Sequence, residues 1–155
     1  MSKVKNLIAN QTNVIQFSNQ AEREIFAEML VRTNRNKGVL AEALAIEVLP
    51  VVAYYPKEDG KSAPDFLLED GKTVQCKYMG GRLKANGTAE EAVQSDYSDY
   101  WFLVADGFKG NALVSKAEMM DKVKNFAKRE SNSYKLLINE KNLRSNFPKN
   151  YKRDE

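Results

Sequence analysis

The chain has 155 residues, of which 43% are apolar and 29% charged, the composition of a folded water-soluble protein rather than a disordered or membrane one. It holds no histidine and one cysteine, which excludes Ser-His-Asp and Cys-His catalysis, zinc sites built on His or several Cys, and any internal disulfide. The net charge of +3 is uneven: residues 116–155 carry 11 Lys/Arg against 6 Asp/Glu, whereas residues 1–115 carry 13 against 15.

No stretch approaches the ~18 continuous apolar residues of a membrane span, and "MSKVKNLIANQTNVIQF" lacks the apolar segment and cleavage site of a secretory signal. A single domain, 1–155, in a reducing cytoplasm is expected, nucleoid-associated in a bacterial or viral setting. Its basic C-terminal segment, 131–155, suits either contacts to a phosphate backbone or a plain solvated face.

Residues 19–33, "NQAEREIFAEMLVRT", predict a helix with Ala21, Ile25, Phe26, Met29 and Leu30 at helical spacing. After the polar break "NRNKG", "VLAEALAIEVL" continues as a second helix or as the same helix beyond a kink. Pro50 ends it, and "VVAYY" (51–55) reads as a strand. A loop, "PKEDGKSA", precedes strands at 64–69 and 72–78 joined through Asp70-Gly71. The glycine-rich "GGRLKANGTAEEA" turns helical after Thr88, an N-cap with Glu91 three residues on. "YWFLVA" (100–105) is a buried strand that takes Tyr100 and Trp101 into the core, and "ALVS" (112–115) is another strand. Residues 116–130 predict a helix with Met119, Met120, Val123, Phe126 and Ala127 inward, and "YKLLI" an edge strand. This order indicates an α/β fold, a mixed β-sheet flanked by helices.

The chemistry concentrates at four positions. Gln75 and Lys77 alternate onto one face of their strand, with Val74, Cys76 and Tyr78 on the other. A two-residue Asp70-Gly71 turn would pair Asp65 with Cys76. A three-residue loop with Gly71 left-handed would pair Asp65 with Gln75 and collect Phe66, Leu68, Val74 and Cys76 on one side; the apolar pattern favours the second. Glu42 lies on the line Val39, Glu42, Ile46, Leu49 and leans toward an apolar stripe, with Glu47 an alternative on the same helix. Cys76 reads as a core residue, not a nucleophile. Without histidine, any acid-base or metal chemistry must rest on Asp, Glu and Lys, and oxygen-ligand sites of that kind suit Mg²⁺ or Mn²⁺. Gly80, Gly81, Arg82 and Lys84, with Lys61 in the preceding loop, are candidate nucleic-acid contacts, since glycines let backbone amides approach phosphate between cations. Arg129, Arg144 and Arg153 extend the basic track.

The helix "KGVLAEALAIEVL", then Pro64-Asp65-Phe66, nine residues between Asp65 and Gln75, "QCK" and "DYWFLVA" resemble the PD-(D/E)XK nuclease superfamily from about Lys37 to Lys116. Gln75 stands where the family usually has a second acid, as in the similar Gln-x-Lys Mrr-type enzymes. The Gly38-to-Glu42 spacing resembles archaeal Holliday-junction resolvases. The resemblance implies a restriction-endonuclease-like fold and a Mg²⁺-dependent endodeoxyribonuclease leaving 5′-phosphates. Asp65, the Gln75 amide oxygen, the Cys76 backbone carbonyl and Glu42 would serve the metal, and Lys77 the transition state. DNA is the expected partner and a homodimer or higher homo-oligomer the expected assembly. The alternatives are a catalytically idle nucleic-acid-binding module of the same fold, or an RNA-cleaving member.

Overall fold

A computed structural model describes residues 14–56 and 64–153, so Lys61 lies outside the described residues. The chain divides into two compact units, Met1–Gln75 and Cys76–Glu155. Both mix helices with strands, and the chain is α/β as the alternation of periodicities indicates.

In the first unit, β1 (Ile15–Gln16) leads into α1 (Gln20–Thr33), α2 (Lys37–Val48), β2 (Val51–Tyr54) and β3 (Phe66–Leu68). The first part of β4 (Thr73–Tyr78) completes it, and the strands run antiparallel in the order β1-β2-β3-β4. Asparagines decide that α1 and α2 are separate helices. Asn19 caps α1 by accepting from the Glu22 amide, Asn34 ends it in extended backbone, and Asn36 starts α2 by accepting from the Gly38 amide. The buried face of α1 is Phe26, Ala27 and Leu30; Ile25 and Met29, expected inside, stay 64% and 39% exposed. Two residues at helical spacing mark a stripe, but only a neighbouring element makes it the inner one.

The hairpin follows the three-residue reading. Gly71 is left-handed (φ 84°), its amide donates to the Leu68 carbonyl, and the Leu68 amide donates to Lys72. The register pairs Phe66 with Val74, which by count sets Asp65 against Gln75. The Asp65 amide nevertheless donates to the Val74 carbonyl at 2.9 Å, so the ladder slips by one residue where Asp65 leaves the strand. An aromatic file runs Phe17–Phe26–Tyr54–Phe66, with ring centroids 5.4, 5.6 and 5.7 Å apart.

In the second unit, β6 (Tyr100–Val104), β7 (Gly110–Ser115) and β10 (Tyr151–Arg153) are antiparallel neighbours. A three-stranded sheet holds β5 (Arg82–Lys84), β9 (Ser133–Leu136) and β8 (Ala127–Glu130) in that order. Three short helices, α3 (Ala89–Gln94), α4 (Lys116–Lys122) and α5 (Glu140–Asn146), complete the unit. Thr88 and Glu91 form the expected capping box on α3, and Ser115 and Glu118 form another on α4. Trp101, Leu103, Val114, Met119, Val123 and Leu136 are fully buried in one core.

The helix expected over 116–130 ends at Lys122. A 3-10 turn follows at Val123–Asn125, and Ala127–Glu130 form a strand. Met119, Val123 and Phe126 are all buried because a 3-10 turn keeps the three-residue spacing a helix would have used. "YKLLI" supplies β9, the central strand of its sheet and not an edge. The final residues fold as well: β10 pairs with β7, and the Tyr151 hydroxyl donates to Glu140 on α5 at 2.8 Å.

Two outcomes check this packing. Ile46→Ala, which opens space at a fully buried side chain, should destabilise the protein by about 2–5 kcal/mol in urea unfolding, whereas Ile25→Ser should cost under about 0.5 kcal/mol. The Glu140 carboxyl is held below the usual glutamate range, first by the Tyr151 hydrogen bond, against burial, and then by Arg144, Arg153 and Lys109. A carboxylate with a lowered folded-state pKa contributes stability that is present above its unfolded value and lost as pH falls through the folded one. Tyr151→Phe should therefore flatten the loss of stability between about pH 5 and pH 3.

Candidate active site

Helix α2 carries Glu42 among the buried Ala41, Ala43, Ala45 and Ile46, which leaves the residue 9% exposed. Its Oε1 accepts a hydrogen bond from the Tyr54 hydroxyl at 2.9 Å. Tyr54 sits on β2 with its ring between Phe26 and Phe66, so the aromatic file aims the hydroxyl that meets Glu42. Glu47, the alternative on the same helix, is exposed.

Asp65 is fully buried. Its carbonyl accepts from the Tyr55 amide at 2.9 Å, and its own amide donates to Val74. Consecutive residues of one chain segment, Tyr54 and Tyr55, thus hold the Glu42 side chain and the Asp65 backbone. Gln75 is 5% exposed, on the strand beside β3. The middle of β4 is covered on both sides, with Val74 and Cys76 buried beside Gln75.

Lys77 follows Gln75 by two residues on β4 and is half-buried, its Nζ donating to the Arg82 carbonyl at 2.8 Å. Cys76 is buried and outside any disulfide, consistent with its reading as a core residue. The amides of the glycine turn are used by the fold itself. Gly80, at φ 83°, donates to the Leu136 carbonyl at 2.7 Å, and Gly81 donates to Tyr78 at 2.8 Å. A Cβ on Gly81 would come within 3.0 Å of the Tyr78 carbonyl, so this glycine serves a close backbone approach. That leaves the Arg82 and Lys84 side chains, both exposed, as the groups of this segment that face outward.

Two carboxylates and one amide of the first unit are nearly or fully out of water. Among the described residues no group of three or more His, Cys, Asp or Glu side chains that could hold a metal ion comes together. Tyr54 is the residue that sequence reasoning missed. A tyrosine in an apolar run next to a helix bearing a buried acid is the available signal, because a buried phenol seeks an acceptor.

No protein-family model and no curated protein matches this chain. Among the described residues no helix is long and apolar enough to cross a membrane.

Removing the phenol should leave a buried carboxylate short of a donor. Tyr54→Phe is expected to lower stability by about 1.5–3 kcal/mol, the range for hydrogen bonds to charged groups, read from denaturant midpoints at neutral pH. Tyr54→Phe combined with Glu42→Gln should recover part of that loss, since a neutral amide tolerates the site better.

Proposed function

We propose that the protein is a metal-dependent DNA endonuclease, a PD-(D/E)XK-like phosphodiesterase in which glutamine takes the place of the second acid. What supports the reading above all is the burial of two carboxylates, Glu42 and Asp65, held by neighbouring residues Tyr54 and Tyr55, with the buried Gln75 amide on the adjoining strand. Buried carboxylates are kept only where they are hydrogen-bonded, paired or coordinate a metal, and a divalent cation is a partner that two of them in one small unit would suit. The donors are oxygens alone, a set that suits Mg²⁺ or Mn²⁺.

Asp65, Gln75 and the Cys76 carbonyl would hold the ion, with Glu42 completing the set. When bound, the ion supplies Lewis-acid polarisation of the scissile phosphate and a lowered pKa for water. Tyr54, by donating to Oε1, fixes the rotation of the Glu42 carboxylate. Lys77, whose Nζ donates to the Arg82 carbonyl, is suited by its positive charge to stabilise negative charge growing on the phosphate oxygens. With Gln75 neutral, the site repels an incoming phosphate less but binds a cation more weakly than three acids would. Cutting both strands takes two such sites, which a homodimer supplies.

The test is cleavage of supercoiled plasmid and branched DNA in Mg²⁺ or Mn²⁺. Wild type should nick or linearise the DNA, and Asp65→Ala and Lys77→Ala should each lower the rate by about 10²-fold or more. Gln75→Glu should keep or raise activity at lower Mg²⁺. Binding without variant-sensitive cutting in either metal would establish an idle binding module instead. Cutting of RNA alone would reassign the substrate. A folded Gln75→Glu protein with no activity would remove Gln75 from the site.

A further inference from the structure

The three-stranded sheet of the second unit has two unlike faces. Register pairs Leu83 with Tyr134 and Arg129 with Tyr134, while Ala127 faces Leu136. This side is the inner one: Leu83 and Leu136 are buried, and Tyr134 and Ala127 pack on the same core. Arg129 closes it, lying 5.3 Å over the Tyr134 ring and donating to the Gly87 carbonyl.

By alternation the other side presents Arg82 and Lys84 from β5, Ser133 and Lys135 from β9, and Lys128 and Glu130 from β8. Arg82 stands opposite Lys135, and Lys135 stands opposite Lys128. A row of like charges directly across three strands destabilises a sheet. Glu130 offsets one of them: it pairs with Arg82 at 2.8 Å, and its carboxyl is held below the usual range first by that hydrogen bond, against burial, with Lys135 and Lys128 adding to it. The face as a whole sets four cations against one anion.

We infer that this outer face, with Arg82, Lys135 and Lys128 as its central row, binds the phosphate backbone of duplex nucleic acid. The inference deepens the endonuclease reading and rests on it for the choice of DNA as the polymer. Strands about 4.8 Å apart spread the row over ~10 Å, close to the span of four successive phosphates of one B-DNA strand at ~3.4 Å each along the axis. The face offers no apolar side chain to enter a bilayer: the large exposed hydrophobics among the described residues, Ile25, Met29, Val31, Val48 and Tyr97, all lie elsewhere. It also offers no aromatic on which unpaired bases would stack, since Tyr134 points inward. A duplex backbone is the ligand that matches charge without either.

The experiment measures affinity of the full chain for a labelled 20-base-pair duplex between 50 and 200 mM salt, without divalent metal. Each phosphate that a variant no longer neutralises should reduce the slope of log K against log salt by about 0.9. The Lys128→Gln/Lys135→Gln protein should therefore show a slope shallower by about 1.8, so that wild type weakens about tenfold more than the variant across this range. The weakening should be alike for unrelated duplex sequences, and the variant should unfold at the same or higher urea concentration because like charges have been removed. Unchanged affinity and slope in the folded variant would overturn the inference, as would loss of binding to anionic phosphatidylserine vesicles with duplex binding intact. Asp65→Ala separates the two readings. Wild-type cutting with no Lys128 or Lys135 effect on binding sinks this inference alone, whereas lysine-dependent binding without any cutting sinks only the endonuclease.

Discussion

The hydrogen bond from Tyr54 to Glu42 is the constraint on which the first unit turns. A glutamate on an apolar helix stripe can remain only if something polar meets it, and here the donor comes from a tyrosine wedged in a file of aromatic rings. The same segment then anchors the Asp65 backbone through Tyr55. Packing of Phe17, Phe26, Tyr54 and Phe66 is thus not separate from the acid pair: the rings set where the phenol points, and the phenol sets where the carboxylate points.

The hairpin adds the third group by a different route. Its three-residue loop with Gly71 left-handed makes Phe66 face Val74, and the slip at Asp65 takes that residue off the regular ladder. Bulges of this sort re-aim a side chain while leaving the neighbouring strand intact. Gln75 is then a neutral amide in a strand covered on both sides, a cheaper burial than a carboxylate there would be.

The second unit separates its tasks by strand alternation. In the small sheet, Leu83, Tyr134, Leu136 and Ala127 face the core, and the cations take the other side. The glycine turn before β5 serves this arrangement: its amides bond the fold, bringing Leu136 and Gly81 into a backbone pairing that starts the β5–β9 ladder. Cations accumulate on a face when the opposite side supplies enough burial to tolerate their mutual repulsion.

Chemistry between near neighbours in the chain makes much of this fold legible. The three-residue loop, the Thr88–Glu91 capping box, the buried strand at Trp101 and the apolar lean of Glu42 each depend on residues within a few positions of one another. Expectation and structure part where one local pattern serves two structures. Met119, Val123 and Phe126 fit a long helix or a helix ending in a 3-10 turn, and the choice lay with Leu136, which needed Ala127 as a strand partner. Ile25 and Met29 fit a buried stripe, but no element covers them among the described residues. β5 escaped notice because Leu83 is a single apolar residue between two cations, a strand only once β9 lies beside it. Sequence alone thus determined the caps, the turn and the residue types available for chemistry. Tertiary structure alone decided which stripe is inside, that Gln75 is buried, and that Tyr54 meets Glu42, because those outcomes depend on partners distant in the chain.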